Sequence, residues 1–512
     1  MDSTPLHKTP RYDYIIVGAG TAGAVLAARL TEDPACQVLL LEAGPDYPTL
    51  DALPSEIKCG VYQPGVPKPR ETHDWRYQAR VTPQVEIHLP RGKVTGGSSA
   101  VNGQIFLRGE ADDYNSWAAM GNDLWSFDQV LPFFKKLEND LTFSDEFHGN
   151  DGPTPVYRYP RETWKADQSA FYTAARQAGY RHCDDHNRPG ATGVGPFPFN
   201  MVNNIRQSTA ITYLQPVRDR PNLTIQANAT VHRLHSNGKR ILGVLVEIDE
   251  GMITIEADET LLSAGAIGSA QILMLSGIGP KDHLKQWGIP ITINLPGVGQ
   301  NLRDHMTTEM HWHLKSDFTP KIGMQEHQVG FRYTATKSDL FNDMIVYFGI
   351  RPDTHLFAMR PTVNLARTSG ELRLASPNPS VQPHLSFRYF DHALDRQRQR
   401  EAIRLCLQLV QHEAFNHFVA DRVKPLDEDV ATDDALDHYI LREATTGHHA
   451  SSTCKMGPAS DPLAVVDQTG LVHGLEGVRV VDASIMPDSV RANINACVLM
   501  IAERIATLMT NL

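Results

Sequence analysis

Two rhythms of apolar residues run along the chain. Asp13-Tyr-Ile-Ile-Val17 is a short apolar run that ends on glycine, as a buried strand does. Ala24 to Leu30 continues as an apolar helix, and Gln37 to Leu41 is a second buried run. Together they predict a strand–turn–helix–strand unit of about 30 residues. Gly44 to Pro90 is dense in Pro and Gly and reads as loop. Trp117 to Leu141 reads as helix. Thr260 to Ala266 reads as a strand running into a turn, and Ile267 to Leu275 as the helix after it. From about Met310 to Ile440 alternating strands mix with one clear helix, Asp395 to His412. The chain closes with a strand, Val478 to Asp482, a loop, and a helix, Asn495 to Met509. There is no internal repeat and no low-complexity tract.

The elements that suit a nucleotide fold therefore lie at the start, the middle and the end of the chain. The 512 residues exceed one ordinary core. The fold class expected is α/β, with α+β character in a second domain. A Rossmann-like domain would be assembled from the separate segments 1–155, 205–310 and 465–512. Segments 156–204 and 311–464 would form a substrate domain around an antiparallel sheet. No linker-like composition marks these boundaries.

Gly18-Ala-Gly20-Thr21-Ala22-Gly23 is a GxGxxG directly after a strand and opening a helix. Gly18 permits the tight turn, Gly20 lets backbone approach a pyrophosphate, and Gly23 lets helix and strand pack closely. The helix N-terminus supplies unpaired N–H groups to the phosphates. Glu42 ends the second strand, where a carboxylate binds ribose hydroxyls. Its charge opposes a 2′-phosphate, which leaves FAD or NAD and disfavours NADP. Glu42-Ala43-Gly44 is the usual close of an FAD-binding unit.

Further segments resemble the glucose–methanol–choline (GMC) oxidoreductases. Gly92 to Gly103 is similar to the family stretch that wraps flavin and pyrophosphate. Ser263 to Pro280 is a long and specific match, with Ala270 where the family commonly has proline. Pro296-Gly-Val-Gly-Gln-Asn-Leu-Arg-Asp-His305 matches too, as do His449 to Gly457, Val481 to Pro487 and Asn493-Ile-Asn495. The resemblance spans essentially the whole chain in family order. It implies FAD as cofactor, with an active site between two domains. Arg91, Val94, Gly97, Asn102 and Gly103 then fall to the flavin loop. Val231 falls to the adenine, and Ala264, Asp482, Ala483, Asn493 and Ile494 to the remaining contacts. Some members attach FAD through a histidine in the glycine-serine loop. Val101 stands at that position here, so non-covalent FAD is expected.

Alcohol oxidation needs a base for the hydroxyl proton and an acceptor for hydride, which the flavin supplies. Histidine suits the base. In the family pattern the base lies four residues before Thr453, which selects His449. The partner is taken as Asn495, orienting the substrate oxygen. Asparagine near a helix start is otherwise a cap, and most of the 22 histidines serve ordinary roles. His448 is read as a pocket wall, and His305 as structural. His311-Trp-His313 lacks a third ligand, so no metal is expected.

The substrate expected is a neutral primary alcohol, aliphatic or aryl, with a sugar or polyol hydroxyl as the alternative. Choline-type members cage their cation with a carboxylate. The chain has Met306-Thr307 where that carboxylate would stand, which speaks against choline. Electrons would pass to O2, or to a quinone or other carrier. A hydroxynitrile-lyase-like flavoprotein keeps the histidine and is the alternative of another class.

Lys and Arg number 48 against 59 Asp and Glu, a net charge of −11. An acidic surface argues against nucleic acid and anionic lipid. No apolar run reaches the roughly 20 residues of a membrane span. The N-terminus shows no charged segment followed by an apolar one, so no signal peptide is expected. Six scattered cysteines without a CxxC pair suit the cytoplasm. The sequons at Asn222 and Asn228 are then incidental.

Overall fold

The structure is a computed structural model and describes residues 11–510. The expectation about a signal peptide rests in part on residues 1–10, which lie outside the described residues. Tyr12–Val17 sits inside a seven-stranded sheet, flanked in parallel by Val38–Leu41 and Gly251–Leu262. Leu223–Gln226 joins beyond Val38–Leu41, and Val478–Val480 pairs in parallel with Gly251–Leu262. Val38–Leu41 is buried along its whole length, as a parallel strand covered on both faces must be. Thr230–Asn237, Arg240–Ile248 and Gly251–Leu262 form an antiparallel meander on the same sheet.

Register decides where the site falls. Val17 is level with Leu41 and Leu262, and Leu262 is level with Val480. The residues that follow these strands, Gly18, Glu42, Ala264 and Asp482, therefore reach one edge of the sheet. That edge is where open parallel sheets bind ligands.

The second sheet has eight strands. Val419–Lys424, Met310–Leu314, Leu356–Val363, Met344–Arg351, Val329–Tyr333 and Gly193–Pro196 follow one another. Met306–Thr308 pairs with both Leu356–Val363 and Ala444–Thr446. All these pairings are antiparallel.

Several sequence expectations shift. Trp117 to Leu141 is not one helix but two, Ala111–Ala119 and Phe127–Leu137. Gly121 turns left-handed at φ 94° just after the first helix, and Ser126 is extended just before the second. The last strand stops at Val480, because the Asp482 side chain caps the turn Ala483–Ile485. Met306–Thr308, inside the segment 205–310, already belongs to the antiparallel sheet. Thr154–Arg158 runs across the edge expected at 155/156 and pairs with Pro198–Phe199. No change of composition marks either place, so pairing alone decides them.

The C-terminal helix Asn495–Thr510 packs on Thr21–Leu30. Glu503 is fully buried there, held by Arg29 at 2.7 Å and by the Tyr213 hydroxyl at 2.9 Å. This clamp ties the C-terminal helix to Thr21–Leu30. Among the described residues no helix is long and apolar enough to cross a membrane.

Candidate active site

A cavity of about 1030 Å³ lies between the parallel edge and the antiparallel sheet. Gly18, Gly20, Thr21, Ala22, Glu42, Ala43, Arg91, Gly97, Asn102, Gly103, Val231, Ala264, Asp482, Ala483, Asn493 and Ile494 all line it. His448, His449 and Asn495 line it as well. Gly23 and Val94 do not. A Cβ on Gly23 would lie 1.9 Å from the Gly18 carbonyl oxygen, so this glycine serves helix–strand packing. Val94 is buried against Ile57 and Ala100, behind the loop that it was expected to present.

The residues present fit an FAD. Gly20 and Gly97 face each other so closely that a Cβ on Gly97 would meet the Gly20 Cα at 2.6 Å. Gly97 also stands at φ 51°, and the two together leave a backbone-lined cradle. The Glu42 carboxylate accepts N–H bonds from Ala19 at 2.9 Å and Gly44 at 2.8 Å. Burial raises its pKa to about 7. The Asp482 carboxylate accepts from the Gly265 N–H, the Ser269 hydroxyl and the Ser484 N–H. Arg91 donates to the His448 carbonyl at 2.8 Å, while its Nη2 is buried without a partner. An orphaned guanidinium nitrogen at the cavity wall is a donor waiting for a ligand atom.

Met306 pairs with Thr446, so the residues flanking those strands meet. Gly447 N–H donates to the His305 carbonyl at 2.7 Å. His448 then takes the left-handed conformation, φ 67°. Its N–H donates to the Thr446 hydroxyl at 2.7 Å. That turn sends the two neighbouring histidines in different directions. His449 is 9% exposed, and its N–H donates to Asp304 at 2.7 Å. The same Asp304 oxygen accepts the His305 N–H at 2.8 Å. Its other oxygen accepts the hydroxyls of Tyr389 and Thr446.

A directed chain of hydrogen bonds follows. The Val490 carbonyl can only accept, so His305 Nε2, 2.8 Å away, carries a proton. Burial lowers the His305 pKa to about 4, so its Nδ1 is bare. His449 Nδ1, at 2.8 Å, must then donate to it. His449 Nε2 is left as an acceptor, and Asn493 Nδ2 donates to it at 3.1 Å. Asn493 Oδ1 accepts from the Tyr347 hydroxyl at 3.2 Å. Burial, and then the neighbouring His305, His448 and Arg91, hold the His449 pKa well below its ordinary value. The pair expected from the sequence was His449 with Asn495. The Asn495 side chain instead accepts from the Thr21 hydroxyl at 3.0 Å, at the first turn of its helix.

Sequence reasoning gave His305 a structural part and passed over Asp304, Tyr347 and Arg360. Asp304-His305 closes the matched segment from Pro296, and that match was the available signal. Tyr347 and Arg360 sit on strands whose alternation does not tell which face meets a cavity.

The two models of the GMC oxidoreductase family match residues 12–307 and 366–502, and the chain belongs to that family. It is 37% identical to "oxygen-dependent choline dehydrogenase 1" of Chromohalobacter salexigens, over 97% of this chain and 94% of that one. It is 33% identical to the "oxygen-dependent choline dehydrogenase" of Vibrio vulnificus, again over 97% and 94%. The crystal structure of pyridoxine 4-oxidase from Mesorbium loti superposes with a TM-score of 0.91 at 30% identity, covering 98% of this chain and 100% of that one. GMC oxidoreductases bind FAD. This chain is thus an FAD-dependent oxidoreductase of the alcohol-oxidising class.

Proposed function

We propose that the chain oxidises a primary alcohol that carries no cation, with His449 Nε2 as the base and Asn493 holding the alcohol oxygen. The observation that carries this reading is the bare Nε2 of His449 facing the cavity beside Asn493. FAD, when bound, supplies the hydride acceptor. The alcohol O–H takes the place of the Asn493 N–H at Nε2 and gives its proton there. The freed Asn493 N–H, kept in orientation by Tyr347, then donates to the alcohol oxygen. Asp304, through the two backbone N–H groups, holds a carboxylate close to the imidazole as it gains charge.

The lack of a cation on the substrate rests on the wall opposite. Thr307 lines the cavity and donates to the Pro361 carbonyl at 2.8 Å, so it offers no charge. Glu309 is tied to Arg351 at 2.6 Å. Neither Thr307 nor Glu309 is thus a free carboxylate that could cage a trimethylammonium group.

The FAD is held non-covalently, since Val101 lines the cavity and carries no nucleophile. Dioxygen as acceptor is supported by the names of the similar proteins, with another carrier as the alternative. All six cysteines are unpaired, which suits the cytoplasm. The test is anaerobic. Alcohols are added to the yellow protein and the flavin absorbance is followed before and after air is admitted. Bleaching that is lost in His449→Ala supports the reading. A panel of alcohols that leaves the colour unchanged sinks it and favours lyase chemistry.

A further inference from the structure

Tyr347 and Arg360 are direct partners across the antiparallel pair Met344–Arg351 and Leu356–Val363, so their side chains share a face. That face is a wall of the cavity. The Tyr347 hydroxyl reaches Asn493, so Arg360 stands one cross-strand step from the reacting centre.

The surroundings hold the guanidinium in place without using it up. His327 Nδ1 donates to the Phe348 carbonyl at 2.6 Å, which leaves His327 Nε2 as an acceptor. Arg360 Nη2 donates to that nitrogen at 2.8 Å. Glu326 lies 3.5 Å from the same Nη2 as an ion-pair partner and is shared with Arg351 at 3.9 Å. Among the described residues Arg360 Nε and Nη1 have no protein acceptor. The side chain keeps 24% of its surface open.

Charge around this end of the cavity leans the same way. Asp353 is taken by Lys68 at 2.6 Å, and Glu309 by Arg351. Arg70 and Lys321 line the cavity, and no described carboxylate lies within ion-pair distance of either. Arg70 and Lys321 are thus unpaired cations of a lining that also holds Glu56, which among the described residues has only His73 at 3.9 Å.

We propose that Arg360 is the specificity-determining residue of this site, and that the substrate is a primary alcohol whose far end carries a carboxylate. This rests on the alcohol-oxidising reading of the same site. The guanidinium keeps Nε–H and Nη1–H donors, each able to donate singly to a carboxylate oxygen beside its charge. A quaternary ammonium placed there would meet a fixed positive charge instead.

The test uses the holoenzyme and three benzyl alcohols that differ only in the para group: hydrogen, carboxylate or trimethylammonium. The expected order of kcat/KM is carboxylate first and trimethylammonium last. The carboxylate should lead the parent by about tenfold to a hundredfold, the range of a hydrogen-bonded charge pair. Arg360→Met should bring that ratio close to one through KM, and Arg360→Lys should keep part of it. 4-Methylbenzoate cannot react, and its binding, read from the flavin spectrum, should weaken by a similar factor in Arg360→Met. Oxidation of all three alcohols with no lead for the carboxylate overturns the inference. So does a lead that Arg360→Met and Arg360→Lys leave intact. Failure of all three to bleach the flavin is a different outcome, because it overturns the alcohol-oxidising reading beneath.

Discussion

His305 and His449 are 144 residues apart in the chain, yet their Nδ1 atoms face each other at 2.8 Å. Because His305 Nε2 is committed to the Val490 carbonyl, only one direction of that bond is open. His305 therefore fixes the tautomer of His449. Replacement by Gln keeps an acceptor for His449 and a donor for Val490. His305→Gln is expected to reduce its flavin within about tenfold of the native rate. His305→Phe frees the imidazole to adopt the wrong tautomer and should lose about a hundredfold or more. Stopped-flow reduction under nitrogen separates the two. Equal losses in both variants would reduce His305 to a packing role.

The low pKa of His449 has a consequence for pH. The base stays unprotonated as pH falls below 6.5, so the limiting rate of flavin reduction should be flat through mildly acidic pH. Stability runs the other way. His305 and His448 are each held near 4 when folded, against 6.5 when free. Between those values the unfolded chain binds more protons, so stability is complete above about 6.5 and declines as pH falls toward 4. Denaturant melts at several pH values check the sign.

Asn493 and Asn495 differ in what they touch, and their alanine variants should differ in kind. Asn493→Ala removes the donor beside His449 Nε2 and should cost about tenfold to a hundredfold in flavin reduction. Asn495→Ala removes an acceptor for Thr21, next to the phosphate-binding turn. Its loss should appear in FAD retention during gel filtration, with a smaller change in the reduction rate. A larger kinetic loss in Asn495→Ala would restore the pair read from the sequence.

Gly97→Ala places a methyl group against Gly20 from a left-handed backbone position. The expected product is a colourless or weakly yellow protein with a lower melting temperature. Gly179→Ala is its control, a left-handed glycine outside the cavity lining with nothing within 4 Å of a Cβ. Measuring bound flavin per chain in both variants decides the matter.

Asp304 accepts two backbone N–H groups and two hydroxyls while buried. Asp304→Ala would orphan all four and should lower stability by about 3 kcal/mol or more. The His449 position would loosen with it, so residual flavin reduction should fall even at temperatures where the variant is folded.

The nucleotide unit was legible in the sequence because its signals are local. A strand, three glycines, a helix and a closing glutamate lie within one short stretch, where turn sterics and hydrophobic period act over neighbouring residues. The family resemblance singled out His449 by its distance from Thr453, and the structure places that residue at the cavity. Tertiary structure alone decided the rest. His305 meets His449 because Met306 pairs with Thr446, a register set by strands far apart in the chain. Asn493, not Asn495, reaches His449 because the helix begins at Asn495 and turns that side chain to Thr21. Arg360 faces the cavity because of its cross-strand pairing with Tyr347. Each of these is a contact between distant segments, fixed by sheet register and loop path, and no local spacing in the sequence encodes it.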